Sequence, residues 1–303
     1  MSQRAADELT FQRDRAVAML AEFESTGLEK GLTGIVVSKD RALQLYSLLC
    51  TYRELVTHPV ALTVIYSTSS ADHYIAYKEV EVLISDGNLK VEFVKEAGSF
   101  RTTLNKVLSL VRTKNIFFLV DDIVFIRPID LAFAAQLDTE RYILSLRHSP
   151  ALTRSYTSST KQCPPRLYDF SGQPELLQFR WFEAGHEWSD PWSLDGQILP
   201  TAEVRAITKV CNFVAPNTYE AALKTFRTLC INRLGLCYRE SKLLNLPINR
   251  VQNEVENLSG TVSPEYLLSQ WNIGMMMDTM LLRTHIPRST HEEHTVMLKS
   301  RRE

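Results

Sequence analysis

Short apolar runs alternate with stretches of helical spacing through the first half of the chain. The apolar runs predict buried strands at 35–38, 61–67, 91–94 and 116–120. The stretches between them predict helices at 43–55, 74–82 and 102–111. Strands and helices that alternate in this way form parallel sheets with helices on both faces, and ligands bind beyond the carboxyl ends of the strands. We therefore expect an α/β fold with a mostly parallel central sheet.

The ends of the chain carry further helical patterns. Residues 5–24 predict an amphipathic helix whose apolar face holds Leu9, Ala16, Met19, Leu20 and Phe23. After Pro128 a strand is expected at 142–147, and the Ser-, Thr- and Pro-rich stretch 148–174 predicts a binding loop or lid. Helices are expected at 218–234 after a cap at Asn217, and from Pro264 after a cap at Ser263. This pattern divides the chain into an N-terminal helix (1–30), a core (31–215) and a mainly helical C-terminal region (216–303).

The composition is that of an ordinary globular protein. Of the 303 residues, 45% are hydrophobic and 23% are charged, and the formal net charge of −1 gives no positive field that would attract nucleic acid. Five cysteines without a C-x-x-C pair suit a reducing compartment and argue against a disulfide framework. The sequence shows neither a secretory signal nor an apolar stretch long enough to span a membrane. We expect a cytoplasmic protein, for which peripheral contact with the inner face of a membrane stays open.

Two adjacent carboxylates, Asp121 and Asp122, end the apolar run 116–120, and a second apolar run follows at once. Acids beside a buried strand are costly unless a partner binds them, and Mg²⁺ or Mn²⁺ is a partner that also holds phosphate oxygens. The alternative is an Asp cap on a helix N-terminus. The β-branched and aromatic residues at 123–126 make that alternative weaker.

The loop after the first strand reaches the same edge of the predicted sheet. There Asp40 can accept hydrogen bonds from a base or a ribose, and Arg41 can contact phosphate. The alternative is that Asp40 caps the helix that begins near Ala42 while Arg41 is solvated. Arg101, near the start of a later helix, either reaches a diphosphate or forms a surface salt bridge.

With these motifs placed, the chain resembles the nucleotide-sugar-dependent glycosyltransferases of the GT-A fold, in particular the family 2 enzymes of bacterial polysaccharide synthesis. Residues 34–45 resemble the family's opening strand and turn, and residues 118–125 resemble the strand that carries its DxD metal motif. Val120 stands where the first Asp of DxD is usual, Asp121 at the middle position and Asp122 at the metal-ligand position. The resemblance implies a GT-A nucleotide-sugar-binding and catalytic core at 31–215, with an acceptor-side region after it.

The resemblance also implies an activity. It implies transfer of a sugar from a nucleotide-diphosphate sugar, with a UDP-sugar favoured, to the hydroxyl of a glycan or lipid-linked acceptor. Mn²⁺ or Mg²⁺ would be the cofactor, and Ser38, Asp40, Arg41, Arg101 and Asp121 would be the donor-binding residues. Two alternatives stay open. A nucleotidyltransferase would need a Gly-rich basic loop, whereas residues 38–41 contain no glycine. A catalytically inactive nucleotide-binding protein would explain Val120.

In family members that invert configuration, a carboxylate beyond the DxD strand is the catalytic base. We expect Asp195 in this role, ahead of Asp190 and Glu187, because Trp181, Trp188 and Trp192 nearby could stack on a sugar. The alternative is a turn aspartate before Gly196.

The C-terminal segment His291-Glu292-Glu293-His294 suggests a metal without matching a zinc-hydrolase motif. Its histidines are separated by three positions rather than the four of H-E-x-x-H, and no third ligand lies at helical spacing. Related enzymes use a C-terminal histidine to complete the metal shell. We therefore expect His291, or else His294, to serve as a metal ligand, with a solvated tail as the alternative.

Overall fold

The computed structural model describes residues 3–85, 87, 89–251 and 258–301. Its helices are α1 (Gln3–Glu24), α2 (Ala42–Leu55), α3 (Ala71–Ser85), α4 (Phe100–Leu110), α5 (Ala132–Gln136), α6 (Thr201–Val210), α7 (Pro216–Lys224) and α8 (Pro264–Asn272). Its strands are β1 (Glu29–Lys39), β2 (Val56–Thr57), β3 (Leu62–Ser67), β4 (Val91–Lys95), β5 (Thr113–Val120), β6 (Ile123–Phe125), β7 (Ile129–Asp130), β8 (Tyr142–Ser145), β9 (Arg154–Ser155), β10 (Thr160–Lys161), β11 (Tyr168–Asp169), β12 (Leu176–Arg180), β13 (Gln197–Pro200), β14 (Leu234–Tyr238), β15 (Leu243–Asn245), β16 (Met275–Met277) and β17 (Leu298–Ser300). Short 3-10 helices lie at His186–Ser189, Arg227–Cys230 and Met280–Arg283.

The central sheet is large and mixed. Within the described residues it has the order β11-β12-β14-β8-β13-β5-β1-β3-β4. The neighbours β5, β1, β3 and β4 are parallel, as expected, whereas β13 is antiparallel to both β5 and β8, and β12 is antiparallel to β14. The predicted α/β fold is thus confirmed, but the sheet is only partly parallel because β13 enters it between two strands of the opposite direction.

The strands and helices expected in the first half of the chain are all present. Along β1, Ile35 and Val37 face the core on one side of the sheet, and Val36 faces the core on the other. Residues of α2, α3 and α8 pack into the core on the Val36 side of the sheet. Residues of α1, α4, α6 and α7 pack into the core on the side of Ile35 and Val37. A strand covered on both faces must be apolar at every position, which is why these strands were visible as continuous runs.

The helix α1 is present, but of the apolar face predicted for it Leu20 packs against the core while most of the other large side chains do not. Leu9, Met19 and Phe23 are exposed, and Phe23 has 79% of its surface open to solvent. The helix instead buries Val17 and Ala21 in the core that α6 also lines. The choice of face was made by contact with α6, which helical spacing alone cannot anticipate.

The C-terminal region is mixed rather than mainly helical. The helix expected at 218–234 ends at Lys224, and β14 then enters the central sheet between β12 and β8. The second expected helix is α8, and the backbone N–H of Tyr266 donates to Ser263 Oγ at its start, as the cap predicts. The strand β14 comes after residue 215 in the sequence and belongs to the central sheet. The division of the chain into three regions stays a prediction, and residues 1–2, 86, 88, 252–257 and 302–303 of those regions lie outside the described residues.

In the described part of the chain, no helix is both long and apolar enough to cross a membrane.

Close packing between β12 and β14 supplies a test of the fold. Gly235 lies opposite Phe179, and a Cβ at Gly235 would lie 2.5 Å from two carbons of that buried ring. We expect Gly235→Ala to lower the free energy of unfolding by about 1–3 kcal/mol in urea denaturation, because the ring must shift to avoid the methyl group.

The matched control is Gly185→Ala. No atom lies within 4 Å of a Cβ built at Gly185, and its φ of −98° suits any residue. Equal stability of the two variants would show that Phe179 does not pack against Gly235.

Candidate active site

A cavity of about 440 Å³ lies at the carboxyl ends of β1, β3 and β5. The strand ends contribute Ser38, Ser67, Asp121 and Asp122 to its wall. Residues from more distant parts of the sequence complete the wall of the cavity, and they include Tyr156, Thr157, Asp195, Glu220, Lys224, Asn249 and His291. The edge of the sheet at which the sequence predicts ligand binding is therefore concave, and its wall carries charged and polar side chains among apolar ones.

Arg41 lies between the two acids of the predicted metal motif. Its Nη1 donates to Asp121 Oδ1 at 2.8 Å and to Asp122 Oδ2 at 2.5 Å, and Nη2 donates to the backbone oxygen of Asn249. Only 8% of the Arg41 surface is exposed, so the interpretation as a solvated side chain is wrong. Burial alone would lower the pKa of Arg41, but Asp122 and Asp121 raise it above its usual range. The guanidinium thus neutralises one of two buried negative charges.

Ser38 and Tyr77 orient the first of these carboxylates. Ser38 Oγ donates to Asp121 Oδ2 at 2.7 Å, and the backbone N–H of Lys39 donates to the same oxygen at 3.1 Å. The Tyr77 hydroxyl lies 2.5 Å from Ser38 Oγ and accepts the backbone N–H of Arg41 at 3.2 Å. Asp121 therefore receives hydrogen bonds on both oxygens, and its position is fixed before any ligand arrives.

Asp40 stabilises the neighbouring loop rather than the helix. Its Oδ1 accepts the backbone N–H of Ser69 at 2.7 Å, whereas α2 begins after Arg41 without a side-chain cap. The interpretation of Asp40 as a helix cap is therefore wrong. Its backbone has a φ of 53°, in the left-handed region that aspartate tolerates better than most residues. Ser38, Lys39 and Arg41 line the cavity, but Asp40 is not part of its wall.

Of the two acids Asp121 and Asp122, Asp122 has fewer hydrogen-bond partners. Its Oδ2 is bound to Arg41, while Oδ1 is buried without a hydrogen-bond partner among the described residues. Burial, followed by the charges of Asp121 and Asp195, raises the pKa of Asp122 to about 7 in spite of Arg41. A divalent cation at Oδ1 would relieve both the missing partner and the repulsion between like charges. Asp122 therefore fits the role of a metal ligand.

The protein alone does not supply a complete shell at Asp122. Among the described residues, the group of three His, Cys, Asp or Glu side chains with converging ligand atoms lies elsewhere, at His285, Glu292 and His294. A cation at Asp122 would need oxygens from a bound diphosphate or water to complete its coordination.

Asp195 reaches the cavity from the start of β13 and is held by two cationic or polar groups. Its Oδ2 accepts from Arg147 Nη1 and lies 3.3 Å from His291 Nε2. Burial would raise the pKa of Asp195, but Arg147 and His291 lower it well below its usual range. No hydrogen bond from a described residue reaches Oδ1. The carboxylate is therefore ionised and keeps one oxygen as a free acceptor.

His291 lies beside Asp195, and its role as a metal ligand stays a prediction. It forms a backbone bridge with Asn245 at the end of β15, and its Nδ1 lies 3.0 Å from Thr290 Oγ1. The Tyr156 ring stacks on the imidazole with a centroid separation of 6.2 Å. Tyr156 belongs to the stretch 148–174, so the predicted binding loop does contribute to the cavity wall.

Several residues expected at the site lie outside it. Arg101 donates to Asn212 Oδ1 and to the backbone oxygen of Lys209 near the end of α6, and it is not part of the cavity wall. Trp181, Trp188 and Trp192 are fully buried in the core and do not face a sugar site. Their residue type indicated aromatic stacking, but the core beside β12 and α7 encloses them.

The two reserve candidates for a base also lie outside the cavity wall. Asp190 forms an ion pair with Lys224 at 2.8 Å, and burial raises its pKa to about 6. Glu187 accepts from Gln162 Nε2 at 3.1 Å. Asp195 is thus the one of the three that lines the cavity.

Sequence reasoning missed several residues of the site. Arg147 follows β8, which runs parallel to β5, and its place at the end of a predicted strand is the feature that could have identified it. Tyr77 lies inside α3, Lys224 at the end of α7, and Asn249 in a segment without regular structure. Nothing in the sequence near these three residues indicates a site, because only the folded chain brings them to the cavity.

Comparisons with protein-family models and with curated proteins find no match. Solved structures do match. Mannosyltransferase PcManGT from Pyrobaculum calidifontis, in complex with GDP-Man and Mn²⁺, is 16% identical over 48% of this chain and 46% of that chain, with a TM-score of 0.31. S. aureus TarS 1–349 is 15% identical over 70% of this chain and 59% of that chain, with a TM-score of 0.41. A UDP-glucose pyrophosphorylase complexed with UDP-glucose is 11% identical over 68% of this chain and 89% of that chain, with a TM-score of 0.36.

The chain spans about half the length of the mannosyltransferase, 46%, and 59% of the second structure. These similarities are distant, and the function proposed below rests on the site of this chain.

The buried cation gives a test of the site's electrostatics. Arg41→Met should lower the free energy of unfolding by about 3–5 kcal/mol, because it leaves Asp121 and Asp122 buried without their counter-charge. Adding Asp121→Asn should restore part of that loss, since it removes one of the two uncompensated charges. Thermal and urea denaturation of the single and double variants measure this coupling.

Arg239→Met is the matched control. Its guanidinium pairs with Asp169 at the surface, where ion pairs contribute roughly 0–1 kcal/mol. If Arg41→Met were no more harmful than Arg239→Met, the guanidinium would not compensate the two acids.

Proposed function

We propose that this chain is a glycosyltransferase that moves a sugar from a nucleotide-diphosphate sugar, with a UDP-sugar favoured, to the hydroxyl of a glycan or lipid-linked acceptor. Synthesis of cell-surface polysaccharide in the cytoplasm, at the inner face of the membrane, is the setting that suits such an acceptor. One observation carries the proposal. The same cavity is lined by Asp121 and Asp122, where a donor's diphosphate and metal would bind, and by the ionised carboxylate of Asp195.

Donor binding is assigned to the edge formed by β1 and β5. Ser38 and Asp121 offer polar atoms to the nucleotide, and Arg41 offers a positive charge to the diphosphate. Lys224 adds a second cation to the wall of the cavity, where it can draw the departing diphosphate away from the sugar. Asp40 supports this edge through Ser69, and Arg101, bound near α6, is less suited to the donor.

Mn²⁺ or Mg²⁺ would be held by Asp122 and the donor's diphosphate oxygens, with His291 as the further candidate ligand. When bound, the cation would stabilise negative charge on the departing diphosphate. The partnerless Asp122 Oδ1 supports this assignment. Because that edge presents few protein ligands, nucleotide and metal should bind together rather than separately.

Asp195 is assigned as the base of an inverting transfer. Its free oxygen would accept the proton of the acceptor hydroxyl as that hydroxyl attacks the anomeric carbon. Arg147 and His291 hold the other oxygen, so the carboxylate keeps its orientation during the reaction. The low pKa of Asp195 makes it a weak base. Such a base suits a step in which the acceptor hydroxyl loses its proton only after the bond from the sugar to the diphosphate has largely broken.

A nucleotidyltransferase acting on a sugar phosphate is the competing activity. That reaction transfers the nucleotidyl group of a nucleoside triphosphate to a sugar phosphate and releases pyrophosphate. Such an enzyme needs a Gly-rich basic loop around the triphosphate. The loop at 38–41 contains no glycine, which counts against such a phosphate-binding loop. Release of UDP from a UDP-sugar, against release of pyrophosphate from UTP and a sugar phosphate, distinguishes the two activities directly.

Asp122→Asn tests the metal assignment. Isothermal titration of UDP and of GDP, each in Mn²⁺ and in EDTA, should show nucleotide binding strengthened by Mn²⁺ in the wild type. In Asp122→Asn we expect Mn²⁺-dependent affinity to fall by about tenfold or more, a change of about 1.4 kcal/mol. Asp130→Asn, which changes an exposed acid, should behave as the wild type. Equal wild-type affinity in EDTA and Mn²⁺ would remove the metal from the mechanism.

Asp195→Asn tests the chemical step. The amide keeps the shape of the side chain and loses the proton acceptor, so turnover should fall roughly 100-fold or more while UDP affinity changes little. Asp190→Asn, outside the cavity wall, should keep most of the turnover. Near-normal turnover in a folded Asp195→Asn enzyme would refute the assignment and favour a retaining mechanism without such a base.

A further inference from the structure

A second group of ionisable side chains lies next to the candidate active site, on the segment 285–294. His285, Glu292 and His294 each direct one ligand atom to a common point, and these atoms all lie within 4.8 Å of one another. A search of the described residues for three or more His, Cys, Asp or Glu side chains with ligand atoms this close together finds this one group. The sequence pattern drew attention to His291 and His294, whereas the cluster joins His294 to Glu292 and to His285, which comes from an earlier position in the chain.

Glu292 is oriented so that its two oxygens have separate tasks. Oε1 accepts the backbone N–H groups of Arg288 at 2.5 Å and Ser289 at 3.0 Å. Oε2 faces the two imidazoles and lies 2.5 Å from His285 Nε2 and 3.4 Å from His294 Nε2. His294 Nε2 is buried without a hydrogen bond. The carboxylate is thus fixed by the backbone and presents its second oxygen between two nitrogen atoms.

The backbone around these ligands is anchored to the rest of the protein. Arg127 Nη2 donates to the backbone oxygen of His285 at 2.8 Å. The N–H groups of Thr153 and Arg154 both donate to the backbone oxygen of Arg288 at 2.9 Å. The N–H of Glu292 donates to the backbone oxygen of Asn245 at 3.1 Å. Anchored ligand positions of this kind are what an ion needs in order to bind with little rearrangement.

We propose that His285, Glu292 and His294 bind one divalent transition-metal ion of the zinc class, with water in the remaining position. Two imidazoles and one carboxylate are a ligand set that Zn²⁺ uses. Ligand atoms on a tetrahedral zinc lie roughly 3.3 Å apart. The two imidazole nitrogens lie 2.5 and 3.4 Å from Glu292 Oε2, and all three ligand atoms lie within 4.8 Å of one another, so side-chain rotations would admit the ion. The three side chains are 31%, 18% and 29% exposed and line an open groove, which gives the ion a route of entry.

This site differs from the donor-site metal in chemistry and in position. Nitrogen ligands select zinc-like ions over Mg²⁺, whereas an edge completed by diphosphate oxygens suits Mg²⁺ or Mn²⁺. The groove of the new site and the donor cavity meet at Tyr156 and His291, which line both. Because His291 directly precedes Glu292, an ion on Glu292 would fix the segment that carries His291 to Asp195. Its role would be to position His291, not to touch the substrate.

Metal titration of the intact chain tests the site. Titration with Co²⁺ alone should give one ion per chain, with the visible absorption of a four-coordinate nitrogen–oxygen site, and Zn²⁺ should displace it. His285→Asn, Glu292→Gln and His294→Asn should each weaken Zn²⁺ binding by roughly 100-fold or more. Glu292→Gln is the sharpest of the three, because its amide oxygen can still accept from Arg288 and Ser289 while the charge is lost.

Two control variants separate this site from other sources of binding. His58→Asn removes an exposed histidine that is paired with Asp130, and Asp122→Asn removes the proposed donor-site ligand. Both should bind Co²⁺ as the wild type does, and Zn²⁺ should raise the melting temperature of both. Absence of Co²⁺ binding by the wild type would overturn the proposal and leave an ion-pair cluster. Equal Zn²⁺ affinity in the wild type and in folded Glu292→Gln and His294→Asn would overturn it as well.

Discussion

The buried guanidinium of Arg41 is the interaction on which the acidic edge of the sheet depends. Two carboxylates at the end of one strand, with only 4% and 12% of their side chains exposed, cannot remain charged without a cation within the fold. Arg41 comes from the loop after β1, so the pairing joins the two central parallel strands at their carboxyl ends. Ser38, Tyr77 and the backbone of Asn249 complete this network, which exists before any ligand is bound.

The same constraint leaves one charge unbalanced. Asp122 Oδ1 has no partner among the described residues, and Asp195 adds a further negative charge nearby. In the proposed function, a divalent cation carried with the donor's diphosphate would offset this negative charge. The opposite wall is ordered in a similar way, because Arg147 and His291 fix Asp195. The site thus combines three ion-paired acids that line one cavity: Asp121 and Asp122, paired with Arg41, and Asp195, paired with Arg147.

The segment 285–294 connects this active-site wall to a separate histidine cluster. Its backbone is hydrogen-bonded to Asn245, to Arg127 and to the stretch after β8. It therefore positions His291 through contacts outside the central sheet. Binding of an ion to His285, Glu292 and His294 would make the geometry of the active site depend on metal at a distance from the donor.

The sequence by itself determined the parallel half of the sheet, its helices and the acidic edge. Strands covered on both faces are apolar throughout, and acids at their ends are conspicuous, so 116–122 could be interpreted without a structure. Tertiary structure alone decided that α1 turns Val17 and not Phe23 inward, that β14 enters the sheet, and that Arg41 lies between the acids. It also decided that His285 meets Glu292. The physical reason is that periodicity indicates the type of an element, whereas the face it buries and its contacts with distant residues depend on how the elements pack together.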